Sequence, residues 1–283
     1  MDILKALDDS VKSLCEEEDR VGILFSGGVD STLVGTLASK HCEAVAYAVG
    51  TEDSRDLHYI NKNKFPFEVN VIDIGDSDLT NGLKKVMSAT GTPNPVRVGA
   101  GFPPYLASKV ATKDGIKVML PGQGADEIFG GYWRYMKVMS EGYDKLSELL
   151  SADTKELADE LIKSDKTTCE LNGIELRTPF LTPEFIKSGL SIPLEEKIKK
   201  VAKGHKGADE FEGAWYVRKY ALKKAAEQAG VPDDIVWRPK KAAQYGSGIH
   251  KALERIAKEK GFMEEAKKLG HRGALTLYLE SEF

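Results

Sequence analysis

The hexapeptide Ser26-Gly27-Gly28-Val29-Asp30-Ser31 concentrates groups that could handle a phosphorylated ligand. Two adjacent glycines let the backbone approach a ligand closely, the hydroxyls at both ends can donate hydrogen bonds, and a helix starting here would aim its unpaired amides at the turn. That is a phosphate cradle. The GxxxxGK(S/T) pattern of the familiar P-loop occurs nowhere in the chain, and this loop carries a carboxylate instead of a lysine. A carboxylate among phosphates needs a cation. Asp30 is therefore expected to hold Mg²⁺, which takes one or two carboxylates together with phosphate oxygens and water. The bland alternative is a plain strand-to-helix turn.

A second glycine-rich loop runs from Gly122 to Gly131 and includes Gly124, Asp126 and Glu127. Asp126, at the mouth of a helix, can complete a magnesium site with Asp30, and Glu127 can orient a neighbour. Helix N-terminal charge would also account for both acids. Phe129, Tyr132 and Trp133 are expected to pack this loop onto its sheet. The five histidines show no HxxxH spacing, and Cys15, Cys42 and Cys169 stand singly without a CxxC pair. Neither a zinc site nor a disulfide framework is expected, and a reducing, cytoplasmic compartment fits best.

The elements that must hold these loops can be traced along the chain. Ile3, Leu4, Leu7, Val11 and Leu14 recur at helical spacing, so residues 1–20 read as an N-terminal helix. Val21 to Phe25 is a short apolar run that suits a strand buried on both faces, feeding the first glycine turn. A helix to about Lys40 follows, then a strand over Glu43 to Gly50, a helix over Asp53 to Lys64 and a strand over Phe67 to Ile74. Helical patterns at Leu79 to Ala89 and Tyr105 to Lys113 precede a strand over Ile116 to Gly122, which opens onto the second glycine loop. This alternation predicts an α/β fold, a parallel sheet with helices on both faces, over residues 21–142. Ligands bind such sheets at the carboxyl ends of the strands, where both glycine turns sit. Residues 143–283 read as a mostly helical region packed on the sheet, with Phe211, Trp215, Leu222 and Ala226 on one helical face and a single charged surface helix over Lys251 to Lys268.

The chain has 283 residues, 41% hydrophobic and 8% aromatic, enough for one large or two closely packed lobes. Its 40 Lys+Arg against 44 Asp+Glu leave a formal charge of −4, so bulk nucleic-acid binding is not expected. No apolar run approaches a membrane span, so no membrane partner is expected either.

Given SGGVDS, the chain resembles the PP-loop ATP pyrophosphatases, which cleave ATP between the α and β phosphates. LPGQGADEIFGGYWRY (Leu120 to Tyr135) narrows the resemblance to the synthetase domain of asparagine synthetase. ELNGIELRTPFLTPEF (Glu170 to Phe185), KYALKKAA (Lys219 to Ala226) and IVWRPKKA (Ile235 to Ala242) agree with that family in the same order. The likeness runs from about Val21 to Gly248. It implies an adenine nucleotide alpha hydrolase-like fold, ATP and Mg²⁺ as cofactors, and a ligase that forms an acyl-adenylate and passes it to ammonia or an amine, as in asparagine biosynthesis. The resemblance puts Ser26, Gly27, Gly28, Asp30 and Ser31 around pyrophosphate, with Gly122 and Gly124 in the second loop, and Val49 and Gly50 at the adenine edge. Asp30 and Asp126 would share Mg²⁺, and Lys240 would meet the charge building at the α phosphate. Glu175 and Arg177 would lie beside the acceptor pocket, or form an ion pair between the lobes.

Three positions depart from the family pattern. Gln123 stands where the family loop has a glutamate that helps prepare acyl transfer, Thr182 replaces an aspartate, and Gln244-Tyr245-Gly246 replaces a Ser-Asp-Gly stretch. With Met1 close to the first strand, no glutaminase domain is expected. Nitrogen would come from free ammonia, an amine or a separate glutaminase subunit, and a homodimer remains open. Aspartate is one candidate carboxylate. Two alternatives stand beside the ligase: a PP-loop enzyme that adenylates RNA, whose usual cysteine pair and basic appendage are missing, and a non-catalytic adenine nucleotide-binding protein.

Overall fold

A computed structural model of the chain describes residues 2–238, 246–270 and 273–283. Strands β1 (Arg20–Leu24), β2 (Glu43–Gly50), β3 (Glu68–Asp73), β4 (Val118–Pro121) and β5 (Glu175–Leu176) form one parallel sheet in the order β3-β2-β1-β4-β5. The chain moves outward on one side of β1 through β2 to β3, then returns to place β4 on the other side. The strand order reverses between β1 and β4, which opens a crevice at their carboxyl ends. Both glycine loops leave the sheet there.

The alternation along β2 shows how helices cover both faces. Ala44, Ala46 and Ala48 point to one core, together with Val21, Ile23, Val118 and Leu120. Small side chains let the helices α1 (Ile3–Cys15), α2 (Val29–Ala38) and α3 (Arg55–Lys62) lie close on that face. Val45, Tyr47 and Val49 point to the opposite core, built with α4 (Asp76–Thr90) and α5 (Pro95–Ala111). Strand residues two apart share a face, so a single strand feeds both cores. The second half of the chain joins each: Leu222, Ala226 and Ile235 pack in the first core, and Ile249, Leu253, Tyr278 and Leu279 in the second.

Several expectations are corrected. The second half is not free of strands, since β6 (Ile198–Val201), β7 (Asp209–Phe211) and β8 (Ala214–Arg218) form an antiparallel sheet in the order β6-β8-β7. Phe211 and Trp215 therefore sit on strands, not on one helical face with Leu222 and Ala226. Their strands are too short to show alternation, and the one local signal is the Glu212-Gly213 turn, where φ is +49° and +76° as a tight hairpin requires. The helix expected over Lys251 to Lys268 is two helices, Ile249–Glu259 and Phe262–Lys268, separated at Gly261 with φ +89°. α5 starts ten residues earlier than Tyr105, because Asn94 caps the amides of Val96 and Arg97 at 3.0 and 3.2 Å and the helix carries Pro103 and Pro104 inside it. Among the described residues no helix is long and apolar enough to cross a membrane.

Candidate active site

α2 begins directly after β1 with Gly28 as its N-cap, and no side chain caps it. The helix start is left able to receive an anion. Gly27 has φ +64°, and a Cβ there would also strike Ile60, so a side chain is excluded on two grounds. The Ser26 and Ser31 hydroxyls lie 3.2 Å apart across the turn. From the other side of the crevice, the end of β4 presses against this turn: a Cβ on Gly122 would come within 2.7 Å of the Ser31 amide nitrogen and 2.9 Å of the Asp30 Cβ. The two loops touch through glycine, which brings their carboxylates together.

Asp30 and Asp126 meet on a single cation that is neither metal nor expected from the sequence. The Lys219 ammonium lies 2.7 Å from Asp30 Oδ2 and 2.8 Å from Asp126 Oδ1, with only 4% of its side chain exposed. The two carboxylates hold the ammonium well above its ordinary pKa, against burial. Lys219 takes a left-handed backbone conformation, φ +55°, at the junction of β8 and the helix Tyr220–Gln228. Strain at a non-glycine residue of this kind persists only where its surroundings hold it, here through two ion pairs. Gly131 packs against Asp126 and the Lys219 stem so tightly that a Cβ would overlap both.

Three more cations line the same cavity of about 420 Å³. Arg218 pairs with Asp209 at 2.8 Å and donates to the Gly131 carbonyl at 2.5 Å. Arg238 pairs with Asp56, donates to the Gly27 carbonyl at 3.4 Å and lies 4.1 Å over the Tyr59 ring. Lys223, one helical turn after Lys219, is pushed down to about 8 by burial and by the charges of Lys219 and Arg218. Its ammonium lies 5.5 Å over the Trp237 ring. A cavity holding a buried cation so weakly balanced favours a strongly anionic ligand. Beside these groups, Phe25, Val49, Leu57 and Ile60 give the wall an apolar stretch that suits a planar base.

Of the residues singled out from the sequence, Ser26, Gly28, Asp30, Ser31, Val49, Gly122 and Asp126 line this cavity. Gly27 and Gly124 shape the turns behind it, Gly124 with φ +96° against Leu181. Gly50 is set back from the cavity: its carbonyl accepts from the Ile74 amide at 3.0 Å, and Ser54 fills the space where a side chain would stand. Glu127 turns away as well, accepting from the Tyr132 hydroxyl at 2.8 Å; burial raises its carboxyl, and the charge of Asp126 adds to this. It is Tyr132 that reaches the cavity. Glu175 is not brought to the site. It starts β5, so it lies at the opposite end of the sheet from the carboxyl-end crevice, exposed and paired with Arg177 at 2.9 Å. Arg177 also pairs with Glu18 at 3.3 Å and donates to the Leu14 carbonyl at 2.9 Å, tying the strand to the end of α1. Lys240 and the Gln244-Tyr245 pair lie outside the described residues.

Arg218, Lys219, Lys223, Asp209, Asp56 and Arg238 were not singled out as site residues. The available signal was the spacing of Lys219 and Lys223, four apart on one helix face just after an apolar strand.

The arrangement fits a divalent cation held partly by its ligand. Asp30 Oδ1 is buried with no hydrogen-bond partner among the described residues, and two carboxylates within reach of one position are the donor set that Mg²⁺ takes alongside phosphate oxygens. Among the described residues no group of three or more His, Cys, Asp or Glu side chains could hold a metal by itself.

A family model described as asparagine synthase matches residues 2–142 and 136–276. A protein of Methanocaldococcus jannaschii that carries the name of a glutamine-hydrolyzing asparagine synthetase is 38% identical over 281 residues, covering 92% of this chain and 52% of the relative. The glutamine-hydrolyzing asparagine synthetase of Cricetulus griseus is 30% identical over 251 residues, 84% of this chain and 42% of the relative. The chain thus spans about half the length of the curated relatives it matches. Among solved structures, NMN synthetase from Francisella tularensis is 13% identical with a TM-score of 0.43, covering 98% of this chain and 89% of that one.

Proposed function

The chain belongs to the asparagine synthase family, and from that premise we propose that it is an ATP-dependent amide-forming ligase that activates a carboxylate as an acyl-adenylate. The observation that carries the reading is the meeting of Asp30 and Asp126, from loops at the ends of two neighbouring strands, on one buried cation beside a cavity with a phosphate cradle.

In this reading the triphosphate of ATP lies along Ser26 to Ser31, where backbone amides at the start of α2 and the two hydroxyls bind its terminal phosphates. The acid oxygen attacks the α phosphorus, the bond to the bridging oxygen breaks, and pyrophosphate leaves with the electron pair. Lys223 and Lys219, which line the cavity, would act as fixed cations for that charge, and charge already fixed in place costs no reorganisation during reaction. Asp30 and Asp126 would hold Mg²⁺, which when bound neutralises phosphate charge. Lys240 would add a further cation at the α phosphate, a role drawn from the family resemblance. Ammonia or an amine then attacks the acyl carbon and AMP departs. Aspartate is the first acid to try, and a separate glutaminase subunit is one source of the nitrogen.

Pyrophosphate exchange tests this. Protein with ATP, MgCl₂ and labelled pyrophosphate should incorporate label into ATP only when the right acid is present, across a scan of amino acids and other carboxylic acids. Asp30→Ala should abolish that incorporation. ADP as the product, or ATP binding with no acid-dependent exchange, would refute the reading, the second outcome favouring a nucleotide-binding protein without catalysis.

A further inference from the structure

A second cavity, of about 370 Å³, is built by three pieces of the second half: the loop between β6 and β7, the helix Tyr220–Gln228, and the short helix Asp233–Val236 with the tryptophan that follows it. Its volume is within the range of about 300–1,000 Å³ usual for small-molecule sites. Three of the lining residues carry rings. The Trp237 indole meets the His205 ring edge-on at 5.3 Å and the Tyr220 ring at 6.4 Å. Two lysines and two carboxylates line the cavity with them, Lys206 paired with Asp233 at 3.0 Å and Lys224 paired with Glu227.

Lysine and carboxylate are present in equal number, so the cavity favours neither an anion nor a cation by itself. Both pairs are open to solvent, where such pairs contribute little. Each partner can therefore exchange its neighbour for an opposite charge on a ligand at small cost. One molecule with a carboxylate and an ammonium close together answers all four groups, and the rings give a flat aromatic side chain a surface to pack on. The cavity also shares a wall with the first one. The Lys223 ammonium, which lines the first cavity, lies 5.5 Å over the Trp237 ring. Gly207, with φ +68°, lines the first cavity too, while its neighbours His205 and Lys206 line the second. A Cβ on Gly207 would stand 2.8 Å from the Trp237 carbonyl oxygen and 3.1 Å from the Lys223 ammonium, so the loop fits closely between the two.

We propose that this second cavity binds a free α-amino acid with an aromatic side chain, which acts as an effector of the first cavity. Lys206 and Lys224 receive the α-carboxylate, Asp233 and Glu227 the α-ammonium, and the side-chain ring packs on Trp237 and Tyr220. No bond is made or broken. The site itself is independent of the ligase reading, and only its coupling to nucleotide rests on that reading. The coupling has a sign. Residues 202–206 at the loop tip are exposed, and the tip is tied to the body through the Lys206–Asp233 pair and the His205–Trp237 contact. An amino acid that bridges Lys206 and Lys224 secures this loop, and with it Gly207 and Asp209 on the wall of the first cavity. A nucleotide that enters afterwards has less left to order, so each ligand tightens the other, and by the same factor.

Calorimetry on the full chain, with phenylalanine, tyrosine, tryptophan and histidine added one at a time and no nucleotide present, tests the site. At least one should bind saturably, and its N-acetyl derivative and methyl ester should each bind at least about tenfold more weakly, because each lacks one of the two charges. Lys224→Ala and Asp233→Ala should each weaken the amino acid by about tenfold while leaving the affinity for a non-hydrolysable ATP analogue, measured alone, unchanged. In an ¹H–¹⁵N spectrum, the indole signal missing from Trp237→Phe should move with occupancy. Saturating amino acid should tighten the ATP analogue by about fivefold. No saturable binding, equal binding of the N-acetyl form, or binding that neither charge variant weakens overturns the proposal. Displacement of the amino acid by the ATP analogue overturns it as well, because the amino acid would then occupy the first cavity. An ATP analogue that fails to bind strikes the nucleotide reading alone, and the titrations with amino acid still decide the second site.

Discussion

Replacing Asp165 with asparagine should make the protein more stable at neutral pH and leave it no more stable in acid. The ordinary carboxyl value of 3.8 rises to about 6 in the folded chain. At about 1.4 kcal/mol for each tenfold change, holding this group ionised costs the native state about 3 kcal/mol. The sign follows from proton binding. Between pH 3.8 and about 6 the folded chain binds a proton that the unfolded chain has released, so the contribution of Asp165 is fully present below 3.8 and is lost as pH rises through 6. Asparagine carries no charge at any pH and escapes that loss, and the value of about 6, raised by burial, already includes the bond from Gln123. The net expectation is a gain of up to about 3 kcal/mol at pH 8, shrinking to nothing by pH 4. Urea unfolding of both proteins at a series of pH values measures it, since carboxylates elsewhere contribute equally to both curves. A variant that is less stable by the same amount at every pH would refute the reasoning, because it would mean that the charge is well accommodated.

Three further substitutions probe the charged centre and its boundary. Lys219→Met leaves Asp30 and Asp126 buried without their shared partner, which should cost about 3–5 kcal/mol. Thermal melts should show millimolar MgCl₂ recovering part of that loss, and recovering more in the variant than it adds to the wild type. Gly131→Ala forces a methyl group into the space of Asp126 and the Lys219 stem. It should destabilise by about 1–3 kcal/mol and weaken a non-hydrolysable ATP analogue in calorimetry by about tenfold or more. Glu175→Gln breaks an exposed pair with Arg177 at the wrong end of the sheet, so stability should change by less than about 1 kcal/mol and pyrophosphate exchange should persist.

The parts of the site that could be read from the sequence share one property: their chemistry is local. Ser26 to Ser31 and Gly122 to Asp126 are turns after strands that are buried on both faces. Such strands show as continuous apolar runs, and their glycine turns follow at once. β5 has two residues, Glu175 and Leu176, too few to carry any period, so the glutamate could be noticed but not placed at its end of the sheet. The C-terminal hairpin was lost for the same reason. Lys219 was hidden differently. Lysine is common in this chain, and what singles this one out is a left-handed backbone at a junction between a strand and a helix that local periodicity does not mark.

The division of charge between the two halves of the chain explains why composition was silent about the cavity. The carboxylates of Asp30, Asp56 and Asp126 come from the first half of the chain, while Arg218, Lys219, Lys223 and Arg238 all come from the second, which adds one acid, Asp209. These groups meet as pairs, so they nearly cancel in the formal charge of −4 while leaving strong fields inside a cavity of about 420 Å³. The sheet half alone would bring two aspartates together at touching loops with nothing to neutralise them, and like charges this close would drive the loops apart or take up a proton. Lys219 sets one cation between both carboxylates. The second half therefore supplies the counter-charge that lets the two loops of the first half stay in contact. A fragment ending before β6 should lose nucleotide binding by losing the counter-charge, even where the sheet itself still forms.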